Sequence, residues 1–179
     1  MKILATLLIL CVTGITPALS QSANKAVSGD HFLLRGKVYE VDMFQGTDKA
    51  AVSSQIVVYQ EKELYVAFFT LNNGIYEFYL PVGHTYEIWY GGSAFVNKKV
   101  AIDSRMMSVS KKPAALDLDI GVFRPVDGQD FELLKEPYIQ VTYDEEFGSL
   151  VPDMDYTDVR ANELKKIFKK LKKGQGKEK

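Results

Sequence analysis

Residues 70–90, TLNNGIYEFYLPVGHTYEIWY, spell two β-strands, the turn before each and the face each one buries. Asn73-Gly74 supplies the positive backbone angles of a tight hairpin, and Pro81-Val82-Gly83 makes the next reversal. Between these turns, alternation sets Tyr76, Phe78 and Leu80 on one side and Ile75, Glu77 and Tyr79 on the other. That is the grammar of an antiparallel strand with one wet face.

The same grammar extends in both directions. Residues 32–41 alternate Phe32, Leu34, Gly36 and Val38 with Leu33, Arg35, Lys37 and Tyr39. The short runs QIVVY (55–59) and LYVAFFT (64–70) are β-branched or aromatic and bounded by turn residues, which suits a half-buried sheet better than a helix. NKKVAID (97–103) and residues 116–122 complete about seven closely spaced strands with no helix between them. The pattern predicts an all-β, two-sheet antiparallel sandwich and excludes a parallel α/β arrangement.

From Pro125 the character changes. Residues 131–135 read as one helical turn ended by Pro137, and YIQVTY (138–143) as an additional strand. A helix over about 156–173, capped by Asp155 or Thr157, is predicted from Leu164, Ile167, Phe168 and Leu171 at helical spacing. Lys165, Lys166, Lys169, Lys170, Lys172 and Lys173 fill its other face, and residues 174–179 read as a disordered basic tail.

The first twenty residues have the form of a secretory signal: Lys2, an apolar run from Ile3 to about Val12, and Ala18-Leu19-Ser20 before the cut. The run falls short of the ~20 residues of a membrane span. Export is therefore expected, to the periplasm or to the cell surface and medium. Residues 21–30 read as a flexible leader, 31–123 as the sandwich and 124–173 as its extension. Cys11 is the sole cysteine and lies inside the signal, so disulfides, a catalytic thiol and thiolate metal sites are excluded after processing. The net charge of -1 hides a split: residues 160–179 carry nine Lys or Arg against two Glu, leaving an acidic body. Such a body argues against nucleic acid as a partner.

At these residues the chain resembles the carboxypeptidase regulatory-like domains, which are transthyretin-like (prealbumin-like) sandwiches found in many secreted and envelope proteins. The resemblance rests on Gly36 in the opening strand, T-x-x-x-G-x-Y-x-F-x-L at 70–80, P-x-G-x-x-Y-x-I at 81–88, Phe95, and Val100-Ala101-Ile102-Asp103. It covers residues 32–122. The later segments FELLKEPYIQVTYD and MDYTDVRANELKKIF are similar to the tail of small envelope proteins of this group from Bacteroidetes. The resemblance implies a seven-stranded sandwich with a binding or scaffold role and no enzymatic activity. Related sandwiches that form an isopeptide bond use a Lys, an Asn or Asp, and a buried Glu. Lys37 and Asp117 or Asp119 could supply the first two, but Tyr90 stands at the Glu position. The His and Arg cluster of the transthyretin-like ureide hydrolases is also missing, since only His31 and His84 occur.

No catalytic, cofactor or metal residue is expected. Two histidines cannot make a three-histidine zinc site. Residues 152–158, PDMDYTD, faintly resemble a calcium loop but lack its glycine and its closing Glu, so helix capping is the better reading. No nucleophile elbow occurs, and Asp144-Glu145-Glu146 reads as a solvated turn. The candidate binding face is instead aromatic. If Tyr76, Phe78, Leu80, Tyr86 and Ile88 point inward, Tyr79 and Trp89 point outward, with Tyr65 beside them. The favoured reading lets the helix bearing Leu164, Ile167, Phe168 and Leu171 cover that surface. The alternative is a carbohydrate-binding module stacking sugars on Tyr79 and Trp89. The expected partner is a protein of the cell envelope, with carbohydrate second and contact of the basic helix with a membrane surface least favoured.

Overall fold

The structure is a computed structural model that describes residues 30–43, 45–108 and 114–175. The predicted signal, nearly all of the leader and residues 176–179 lie outside the described residues. Eleven strands run in the order β1 (His31–Val41), β2 (Asp48–Ala50), β3 (Gln55–Gln60), β4 (Glu63–Phe69), β5 (Ile75–Pro81), β6 (Thr85–Gly91), β7 (Lys98–Asp103), β8 (Ala115–Asp117), β9 (Ile120–Val122), β10 (Ile139–Asp144) and β11 (Ser149–Pro152). A 3-10 turn (Glu132–Lys135) precedes β10, and the helix α1 (Met154–Gln175) follows β11.

The strands form two sheets, as the alternation predicts. One has six strands in the order β11-β10-β7-β6-β3-β4; the other centres on β1, which pairs with β2, β5, β8 and β9. Their inner faces meet in one core: Phe32, Leu34 and Leu80 from the smaller sheet, and Ile56, Val58, Ile88, Tyr90, Val100 and Ile102 from the larger, each no more than 1% exposed. Full burial of one such side chain contributes about 1.5–3 kcal/mol. The fully buried Tyr90 hydroxyl donates to Tyr76, and the Tyr76 hydroxyl donates to the Leu118 carbonyl.

Two features of the expectation are corrected. The strand count rises from eight, the seven of the sandwich and the one predicted at 138–143, to eleven, because β2 and β11 are too short to show alternation and the run at 116–122 breaks into β8 and β9. The pairing is also mixed: β8 and β9 run parallel to β1, and β10 runs parallel to β7. The break at Leu118-Asp119 has a local cause. A side chain at Gly36 would place its Cβ 2.0 Å from the Leu118 carbonyl oxygen, so the missing Cβ lets Leu118 press against β1 where the ladder is interrupted. Asp119 bridges the interruption by accepting the Lys37 backbone N–H at 2.8 Å.

The turns at Asn73-Gly74 and Pro81-Val82-Gly83 reverse the chain, yet neither closes a hairpin. β4 pairs with β3, β5 with β1, and β6 with β3 and β7. Both turns therefore carry the chain from one sheet to the other. Gly74, at φ +78°, packs directly on β1, where an added Cβ would lie 2.2 Å from the Val38 carbonyl oxygen.

The extension adds to the larger sheet. β10 extends it beyond β7, β11 pairs with β10, and α1 packs on β10 and on the 3-10 turn. The cap of α1 differs from both predicted residues: Asp153 accepts the Tyr156 N–H at 2.9 Å, and Thr157 instead donates back to the Asp153 carbonyl. The helix continues through Gly174 to Gln175, two residues into the predicted tail.

Candidate functional site

The predicted aromatic face is divided between the two sheets. Tyr79 is half-buried on β5, in register with Leu33 on the smaller sheet; Trp89 is half-buried on β6, in register with Val57 and Lys99 on the larger. Because β5 and β6 belong to opposite sheets, outward on one is away from the other. Packed sheets lie about 10 Å apart, so Tyr79 and Trp89 present opposite outer surfaces. Tyr65 belongs to β4, the last strand of the larger sheet, two strands from Trp89. It sits beside a register shift in the β3–β4 ladder and is 47% exposed. Burial, reinforced by the nearby Tyr65 phenol, raises the Tyr86 hydroxyl above its ordinary range. No shared stacking platform exists, because the turn between β5 and β6 crosses sheets.

The helix residues also lie elsewhere than on that face. Leu164 is buried, and Ile167, Phe168 and Leu171 pack beside it against Phe123, Phe131 and Leu134. Phe168 meets Phe123 edge-on at 4.9 Å between ring centres. Lys165, Lys166, Lys169, Lys170, Lys172 and Lys173 occupy the exposed face of α1.

Trp89 floors a groove of about 310 Å³ between the larger sheet and the 3-10 turn, lined also by Val96, Phe131 and Leu134 and, on its polar side, by Asn97 and Gln129. Its indole N–H donates to Glu87 at 2.6 Å, and the Lys99 ammonium sits 5.1 Å from the ring centre. Lys99 also pairs with Glu87 at 3.4 Å, so ring, carboxylate and ammonium form one fixed cluster.

Beneath this groove lies a residue the sequence reading passed over. Lys98 is 6% exposed, and its ammonium stands 4.2 Å from the Tyr138 ring centre and 5.8 Å from that of Phe123. Burial lowers its pKa to about 8. The alternation places Lys98 on the inner face of β7 beside Val100 and Ile102, so a strict period-2 reading could have found it.

The most exposed apolar surface lies at β4. Leu64, Tyr65, Val66 and Phe69 on this strand, with Leu71, Ile75 and Val52 next to it, make up seven of the eleven exposed large apolar residues among those described. Hydrogen bonds join the group: Thr70 Oγ1 donates to the Ala51 carbonyl and the Leu71 N–H to the Ile75 carbonyl. β4 ends its sheet, so the backbone groups facing away from β3 have no ladder partner. Sequence reasoning singled out Tyr65 alone, although LYVAFF with a single Glu63 before it carries none of the usual charged or proline guards of an edge.

His31 lies 2.9 Å from Asp30, and His84 lies 3.6 Å from Glu61. Asp117 is engaged by Arg35 at 2.6 Å. Among the described residues no group of three His, Cys, Asp or Glu is placed to hold a metal ion. No described helix is long and apolar enough to cross a membrane.

No family model and no curated protein matches the chain. Solved structures match parts of the chain at low similarity. A minor pilin of Streptococcus agalactiae matches at 12% identity over 58% of this chain and 49% of the pilin, about half its length, with a TM-score of 0.40. The 5-hydroxyisourate hydrolase of Klebsiella pneumoniae matches at 15% identity over 53% of this chain and 99% of the hydrolase, with a TM-score of 0.32. Catechol 1,2-dioxygenase from Acinetobacter sp. matches at 11% identity over 62% of this chain and 57% of the enzyme, with a TM-score of 0.38. The fold is a two-sheet β-sandwich with a C-terminal helix. The expectation that this sandwich marks a protein without enzymatic activity is corrected by the same comparison, because a hydrolase and a dioxygenase share the likeness. At these identities the likeness concerns fold alone and assigns no activity to this chain.

Proposed function

We propose that this chain is an exported binding or adaptor protein of the bacterial envelope, of the carboxypeptidase regulatory-like kind, and that β4 is its contact edge. The carrying observation is the contiguous apolar row Leu64, Tyr65, Val66 and Phe69 along an unpaired sheet edge, each residue more than a third exposed. Export is supported by the form of residues 1–20, and the family reading by the motifs at 70–88. The test is capture from envelope extracts by immobilised wild-type protein and by Val66→Lys and Phe69→Lys. Capture lost in both variants at unchanged melting temperature is the expected result; retained capture defeats the edge.

The Trp89 groove favours a second reading, carbohydrate binding. Asn97 and Gln129 border an aromatic floor there, whereas Tyr79 takes no part. Trp89→Ala that loses glycan retention without loss of stability supports this reading, and unchanged glycan retention removes it.

A further inference from the structure

Resting on the reading of β4 as a binding edge, we propose that the occupant of this edge is a second copy of the same chain, paired antiparallel through β4 about a two-fold axis. The extension is already committed to the opposite edge of the same sheet, where β10 pairs with β7 and the apolar stripe of α1 is packed against Phe123 and Phe131. Among the described residues no segment covers the edge, which is open to an occupant that brings unpaired backbone groups and apolar side chains together. The β4 of another copy has both.

Charge selects the direction. Glu63 is the single charged residue of β4, and the charges preceding it, Glu61 and Lys62, lie in the same turn. In antiparallel pairing each charged end meets the neutral end of the other copy, Thr70-Leu71-Asn72, whereas in-register parallel pairing stacks Glu63 on Glu63. The irregularity beside Tyr65 limits the regular ladder to about Val66–Phe69, so the side chains supply most of the seam. Val66 faces inward opposite Val58 and is still 37% exposed, because the smaller sheet stops at β5. A strand laid beside β4 covers this inner flank and the outer flank at Phe69 together. The result is a continuous twelve-stranded sheet, two copies of the six-stranded one.

The test is a concentration series by light scattering coupled to size exclusion, on the wild-type chain and on Val66→Lys and Phe69→Lys. The wild type is expected at twice the mass of one processed chain. Each variant is expected to be monomeric at the same concentrations, its dissociation constant raised roughly 100-fold by an unpaired charge in an apolar seam. A wild type that stays monomeric up to about 1 mM, or a dimer untouched by both substitutions, overturns the inference. Because the sole native cysteine, Cys11, lies inside the expected signal, Ala67→Cys in the processed chain gives an independent reading through a single thiol. A short bis-maleimide is expected to trap a dimer through exposed Ala67, and no trapped dimer counts against the pairing. A monomeric wild type that still captures a protein through β4 overturns the second copy alone; a dimer that is lost without any loss of capture overturns β4 as the capture edge alone.

Discussion

The six-stranded sheet has two long sides, and the chain treats them differently. Beyond β7 it adds β10 and β11, then lays α1 against β10 and the 3-10 turn, so that Lys98 and Phe123 end deep in the protein. Beyond β3 it adds β4 and stops, leaving Leu64 64% exposed. One side was lengthened by fifty residues of extension that end the sheet in the four-residue β11, and the other stops at the seven-residue β4. The closed side is where stability is concentrated; the open side is where association is available at little cost to folding.

The largest expected effect lies on the closed side. Phe123, 1% exposed and in edge contact with Phe131 and Phe168, should lose about 3–5 kcal/mol on truncation to Ala, measured by urea unfolding. A loss below about 1 kcal/mol would mean that the extension is not packed on the sandwich.

Lys98 should sharpen the contrast through pH. Its folded pKa of about 8 lies below the 10.5 of an unburied lysine, so between these values the unfolded chain holds more protons and stability rises with pH. The penalty is present in full below pH 8 and is relieved toward pH 10.5. The shift corresponds to roughly 3 kcal/mol, and the aromatic contact with Tyr138 offsets up to about 2. Lys98→Met should therefore gain on the order of 1 kcal/mol at pH 7 and flatten the rise between pH 7.5 and 9.5. Burial raises the Tyr76 and Tyr90 hydroxyls, so their contribution has the opposite sign and enters above the ordinary tyrosine range. A wild-type curve already flat to pH 9.5 would remove Lys98 from the account.

On the open side the effects shrink. Phe78 reads in the sequence as a core residue, but it is half-buried against Phe68, with ring centres 4.9 Å apart. Truncation to Ala there should cost about 2 kcal/mol, less than at Phe123, because the site opens to solvent and leaves no sealed cavity. Smallest of all, at concentrations where the chain is monomeric, Val66→Lys should change the unfolding free energy by less than about 0.5 kcal/mol. Its ladder partner Val58 is fully buried, and Val58→Lys should prevent folding. Equal effects at the paired positions would erase the distinction between covered strand and bare edge.

Much of the sandwich was legible because burial on one face leaves a period of two, as in Tyr86, Ile88 and Tyr90, whatever sheet a strand joins. Partners leave no such mark. Asn73-Gly74 encodes a reversal, but whether β5 returns beside β4 or crosses to β1 depends on contacts with Val38 and Phe32, more than thirty residues earlier. The candidate site suffered most from this. Tyr79 and Trp89 are ten residues apart and both outward, and one crossing turn set them on opposite surfaces. For the helix stripe, the apolar spacing foretold that Leu164 and Phe168 would be covered, but the covering residues come from Phe123 and the 3-10 turn.

By itself, then, the sequence determined which residues turn inward, where the chain reverses and that a basic helix ends it, since each follows from local geometry and the spacing of apolar side chains. Only the tertiary structure decided which strands lie side by side, that Lys98 is enclosed by two rings, and that β4 has no neighbour on its outer side. An edge is defined by the strand that is missing next to it, and that depends on the arrangement of the whole sheet.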